Sequence, residues 1–180
     1  MANLQFRTLR ADEIDCRICM TRKNGVQLLL YKDARCDMNI LDECVGATNW
    51  QRHHSRDNKN CTVSIWDEDK EQWISKEDTG TESYTEAEKG VASDSFKRAC
   101  FNWGVGRELY TAPFVWIGPE KCNLTVHANG TTVVCKDHFI VQQILYDENK
   151  KIVALSIYNT TKKCRAFCVD MRPQEMKKPA

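Results

Sequence analysis

Long apolar runs are missing from this chain. No stretch approaches the ~20 apolar residues that a membrane-crossing helix needs. Met1 to Arg10 contains no apolar core of the kind a secretory leader carries. The expectation is a protein of the cytoplasm, with no membrane partner. Asn-x-Ser/Thr sequons at Asn60, Asn123, Asn129 and Asn159 carry no meaning without export. Internal repeats and low-complexity blocks are absent too. So is the phosphate-binding pattern Gly-x4-Gly-Lys-Ser/Thr. Gly104-Val105-Gly106 lacks the third glycine of a dinucleotide loop and follows a helical pattern rather than a strand. No His-Glu-x-x-His occurs, and no carboxylates cluster with the spacing of a calcium loop. Net charge is scarce as well, at +1. A surface for a polyanion would have to be local.

What is present in quantity is cysteine. The chain has 180 residues and ten cysteines. That length supports a real hydrophobic core without disulfide staples, so reduced thiols are the expected state. Charge is uneven: Lys162 to Ala180 holds six basic and two acidic residues, which leaves the rest slightly acidic.

Two strands are expected over Ile14–Thr21 and Val26–Lys32, joined at Lys23-Asn24-Gly25, since Asn-Gly tolerates the positive φ of a tight hairpin. A helix follows from Asp33 to Val45, capped by Asp33 and ended at Gly46. Asn49–Arg56, Cys61–Asp67 and Gln72–Thr79 read as an antiparallel meander. The longest helix spans about Glu86 to Trp103, with Thr85-x-x-Glu88 as a capping box. Ala92, Phe96, Ala99 and Trp103 form its apolar face. Lys89, Ser93 and Lys97 fall at i, i+4 and i+8 on a polar face that Arg98 flanks. Short strands are expected at Phe114–Ile117, Thr131–Cys135, Phe139–Tyr146 and Ile152–Asn159. The order describes an α+β fold: an antiparallel β-meander packed against one long helix, a short helix after the first hairpin, and a C-terminal β-rich segment. The expected domains are a core over 1–110, a β-rich extension of it over 111–171, and a basic tail over 172–180.

Few constellations carry chemistry. His53 and His54 are adjacent on a strand, so they point to opposite faces and do not converge. Asp67-Glu68-Asp69 reads as a solvated turn. Cys16-x-x-Cys19 with Cys164-x3-Cys168 could make a zinc-stabilised adaptor module, but a separation of three on a strand sends two thiols to opposite faces. The row Lys89–Ser93–Lys97 with Arg98 is either a solvated helix face or a track for phosphates. Arg35 stands in the first turn of a helix, where a cation opposes the helix dipole. It is either neutralised by Asp33 or Asp37 or faces a phosphate.

Two blocks add a resemblance. Leu29-Leu-Tyr-Lys-Asp-Ala-Arg35 runs on through Asn39, Leu41, Glu43 and Gly46 to Asn49-Trp50. Tyr84-Thr-Glu-Ala-Glu-Lys89 continues through Ala92-Ser-Asp-Ser-Phe-Lys97-Arg98-Ala99 to Gly104. With the strands between, they resemble the single-strand-annealing recombination proteins of the Rad-fifty-two type, including the phage Sak-like members. The resemblance spans roughly Leu28 to Leu109. It implies a domain that assembles into a homo-oligomeric ring and holds single-stranded DNA in a positive groove, with no nucleotide, metal or other cofactor. It also implies a binding protein rather than an enzyme, with Arg35, Lys97 and Arg98 on phosphates and Lys89 as a further contact. Phe101 stands where the resemblance leads one to expect a basic residue. The segment after Tyr110 has no counterpart: it extends the sheet, contacts a neighbour, or takes a host single-strand-binding protein.

Overall fold

In the computed structural model of the chain, residues 4–81, 87–127 and 132–173 are described, without the side chains of residues 87–89. The Thr85–Glu88 capping box, the side chain of Lys89 and the tail beyond Pro173 therefore lie outside the described residues. The elements run β1 (Asp15–Arg22), β2 (Gly25–Tyr31), α1 (Ala34–Val45), β3 (Trp50–His54), β4 (Asn60–Asp67), β5 (Gln72–Thr79) and α2 (Ala87–Trp103). They continue through β6 (Val115–Ile117), β7 (Thr125–Val126), β8 (Val133–Val134), β9 (Phe139–Tyr146), β10 (Ile152–Asn159) and β11 (Cys164–Asp170).

Backbone proximity divides the chain into two compact units, each discontinuous in sequence: 1–8 with 32–107, and 9–31 with 108–180. The chain crosses between them after Thr8, Tyr31 and Arg107, and the crossing after Tyr31 falls where strand β2 gives way to the cap of α1.

The helical unit holds α1, α2 and the sheet β3-β4-β5. Asp33 caps α1, its carboxylate accepting from the Cys36 amide at 2.9 Å. Gly46 closes the helix at φ 85°, a conformation that favours glycine. Helix α2 lies against β4 and β5. Val63, Ile65, Phe96, Ala99 and Cys100 are buried there.

The sheet unit overturns the expected fold. Among the described residues strand prevails, at 42% against 23% helix, with two α-helices. The principal element is a six-stranded antiparallel sheet in the order β11-β10-β9-β1-β2-β6. Its outer strands β6 and β11 come into contact, so the sheet is nearly closed like a barrel. The chain is thus not an α+β meander on one long helix with strands appended. The physical reason lies in β2. Val26, Leu28 and Leu30 form an inward apolar row, and the strands that complete that interior come from the far end of the chain. Val115, Ile117, Phe139, Val141, Leu155 and Ile157 are all buried. Each such side chain contributes about 1.5–3 kcal/mol when fully removed from water. Strand β11, over sequence read only for its cysteines, pairs along β10.

This unit also buries a carboxylate. Asp137 accepts from the Asn123 amide at 2.7 Å, the Asn123 side chain at 2.9 Å and Asn159 Nδ2 at 2.7 Å. Burial works to raise its pKa, but these donors, led by Asn159, outweigh it and hold the carboxyl below the usual range.

Candidate nucleic-acid interface

Helix α1 packs against α2, and the residues expected to bind DNA stand on these two helices. Arg35, in the first turn of α1, is 85% exposed, and its guanidinium meets Asp33 at 2.8 Å. Asp33 thus serves both the helix cap and the arginine. Burial would raise its pKa, but the Cys36 amide and then Arg35 bring it below the usual carboxylate range. Of the two acids that could neutralise Arg35, the structure pairs it with Asp33.

Asp37 is engaged elsewhere. Its carboxylate hydrogen-bonds the ammonium of Lys32, and both side chains are buried. The ammonium also lies 4.4 Å from the centre of the Phe101 ring, a cation–π arrangement. Phe101, where a basic residue was expected, therefore covers a buried cation. Gly106 completes the site at φ +70°: a Cβ there would stand 2.1 Å from Lys32 Cε. Among the described residues Asp37 Oδ2 has no hydrogen-bond partner. Burial pushes the Asp37 carboxyl up to about 6, against the pull of Lys32 and, more weakly, Lys97.

Lys97 and Arg98 part company on α2. Lys97 is half-buried and near enough to α1 to act on Asp37, and it forms no ion pair among the described residues. Arg98 turns to the sheet, its Nε donating to Asp78 Oδ1 at 3.2 Å while Asn102 holds the other carboxylate oxygen. Neighbouring cations are similarly engaged. Arg52 lies over Phe96, Lys76 lies over Trp103, and Arg107 donates to the carbonyls of Phe101 and Asn102. The structure brings Lys97 to the Arg35-bearing helix and ties Arg98 to β5; the side chain of Lys89 is not described. The Lys32–Asp37 pair was missed in the sequence. Its one signal was a lysine that follows an apolar strand and stands immediately before the capping aspartate of α1.

The cysteines of the zinc alternative are divided. Cys16 and Cys19 stand on β1, and Cys164 and Cys168 on β11, with β9 and β10 between those strands. Burial pushes the Cys16 thiol up to about 12, with Asp15 adding to the shift, so it is a poor thiolate donor. Among the described residues no group of three or more His, Cys, Asp or Glu side chains converges to hold a metal ion. No helix of the described residues is long and apolar enough to cross a membrane.

Comparison with protein-family models, curated proteins and solved structures finds no match to this chain.

Proposed function

We propose that this chain is a single-strand-annealing protein of the Rad-fifty-two type. It binds single-stranded DNA and promotes pairing of complementary strands in recombination, by binding alone, without nucleotide or metal. It works as a homo-oligomeric ring in the cytoplasm of a bacterial or phage-infected cell, where a host single-strand-binding protein presents the DNA. The reading rests on the two sequence blocks described above. The structural observation that carries it is Lys97, a half-buried lysine with no ion pair among the described residues, beside the helix that presents Arg35. A cation left available in this way suits a phosphate, whose neutralisation lowers the repulsion between two strands. A ring repeats such cations into a continuous track.

The test is annealing of complementary oligonucleotides without ATP, with wild type, Lys97→Ala and Arg98→Ala. Lys97→Ala is expected to lose annealing while melting like wild type. Arg98→Ala is expected to lower the melting temperature as well, because it releases Asp78. If a protomer holds about four phosphates, log affinity falls with log salt at a slope near −3, since each single-strand phosphate contributes ~0.7. A flat salt response, or normal annealing by folded Lys97→Ala, overturns the assignment.

A further inference from the structure

The six-stranded sheet presents a second surface that the α1–α2 cations do not involve. Alternation along β2 sends Val26, Leu28 and Leu30 inward, so Gln27, Leu29 and Tyr31 face out. The register carries that face across the sheet. Arg17 stands opposite Leu29, Met20 opposite Gln27, and Arg22 opposite Gly25 on β1, while Trp116 stands opposite Gln27 on β6. Phe114, two residues before Trp116, is 67% exposed, and its ring is parallel to the indole within 8° at 6.4 Å between centroids. Leu29 is 54% exposed.

Trp116 is held in place by the hairpin turn. At Gly25 a Cβ would stand 2.8 Å from the indole nitrogen and 2.2 Å from the Ile117 carbonyl oxygen. The bare backbone of that turn lets the indole lie against it. Apart from Phe114, which immediately precedes β6, the face stands on strands, and it places aromatic faces beside two arginines. Asp15 stands opposite Tyr31 on this face; burial first, and then this neighbouring carboxylate, push the Tyr31 hydroxyl above its usual pKa.

Charge favours an anionic occupant. The sheet unit has fourteen Lys/Arg against ten Asp/Glu, whereas the helical unit has twelve against fifteen. Exposed aromatic rings on a sheet beside arginines are what a flexible single strand requires: bases stack on the rings and cations follow the backbone. An apolar protein partner would use the rings but would leave the arginines and the positive balance without counterparts.

We infer that the outer face around Phe114, Trp116, Tyr31, Arg17 and Arg22 is a stacking platform for the bases and phosphates of a single-stranded nucleic acid. It rests on the single-strand reading above and adds a contact surface in the other unit.

The experiment measures binding of a fluorescent oligo(dT) by anisotropy, for wild type, Phe114→Leu, the double variant Arg17→Gln/Arg22→Gln, and Lys97→Ala. Particle mass from light scattering and thermal melting are recorded for each. Phe114→Leu keeps most of the apolar area and removes the π-face, and Trp116 is left intact because it packs on Gly25. Affinity is expected to fall about five-fold or more in Phe114→Leu, the loss of one stacked base at about 1 kcal/mol. The arginine double variant is expected to weaken binding and shallow the salt slope by about 1.4. Should Phe114→Leu lower the melting temperature, Tyr31→Leu and the arginine pair carry the same expectation. Wild-type affinity in both variants, alongside weakened binding by Lys97→Ala, overturns the platform and leaves the single-strand reading standing. Weakened binding in the platform variants with normal binding by Lys97→Ala upholds the platform and moves the site away from α2. A change of particle mass in Phe114→Leu with unchanged affinity marks an interface between copies and overturns it. No binding by wild type overturns both readings.

Discussion

In the helical unit, acids outnumber cations and the cations are largely tied down. Lys32 is sealed against Asp37, Arg98 is held by Asp78, and Arg35 shares the capping aspartate. In the sheet unit, cations outnumber acids, and exposed aromatic rings stand beside arginines on open strands. Each unit also buries carboxylates, and two of them, Asp37 and Asp137, follow opposite rules. Asp37 faces an ammonium and keeps one oxygen without a hydrogen-bond partner among the described residues, so burial dominates and its pKa rises. Asp137 is surrounded by N–H donors that match an ionised carboxylate, so its pKa falls. The contrast shows that a counter-charge by itself does not keep a buried acid comfortably ionised; the number of hydrogen-bond donors matters as much.

The sharpest way to break this contrast is to strip one partner from the buried pair. Lys32→Ala leaves Asp37 alone in the interior and is expected to destabilise the helical unit by about 3–5 kcal/mol. Urea unfolding followed by tryptophan fluorescence reports it, since Trp50, Trp66, Trp73 and Trp103 all lie in that unit. The double variant Lys32→Met/Asp37→Leu is expected to recover most of that loss, because it removes both charges while keeping the volume. If the double variant is no better than the single one, the pair is not the cause.

A smaller effect is expected in the other unit. Asp137→Ala orphans the Asn123 amide and takes one acceptor from Asn159, which keeps its bond to the Lys121 carbonyl, at a cost of about 1–3 kcal/mol. Hydrogen exchange read by mass spectrometry should show faster exchange in the strands of the sheet unit and no change in α2. Equal loss of protection in both units would mean that they unfold together, and the comparison would then describe one cooperative structure.

The smallest effect is the most diagnostic, because between pH 7 and pH 5 only the Asp37 carboxyl of these two titrates differently in the folded and unfolded states. Asp37 titrates near 6 when folded and near the usual 3.8 when unfolded. Between those values the native state binds the extra proton, so stability rises as pH falls through that window. From pH 7 to pH 5 the helical unit should gain about 1 kcal/mol. Asp137 has a folded pKa below 3.8. Its contribution is complete above that value and is lost as pH falls below it, so the sheet unit gains nothing between pH 7 and pH 5. Unfolding of wild type and of Lys32→Met/Asp37→Leu at the two pH values checks this; a gain that persists in the double variant comes from another group.

Local features were legible before the structure. The Asn-Gly hairpin, the Asp33 cap, the glycine that ends α1 and the sheet β3-β4-β5 follow from alternation and turn chemistry acting within a few residues. Strand β11 was not legible, because Lys162 to Asp170 alternates weakly and its partner is needed to show that it is a strand. The parting of Lys97 from Arg98 was legible only as geometry: adjacent helical residues point about 100° apart. Which one meets an acid depends on Asp78 from β5.

The sequence by itself determined most of the local elements and the caps of α1, and it supplied the two blocks that suggested a protein working on single strands. Tertiary structure decided which strands share a sheet, that Lys32 is buried while Arg35 is exposed, and that Phe114 and Trp116 stand on the outside of the larger sheet. The reason is physical. Turns, caps and periodicity are settled over one to four residues. Burial of a charge and the pairing of β2 with β6, or of β1 with β9, require partners up to a hundred or more residues away, and no local pattern records who those partners are.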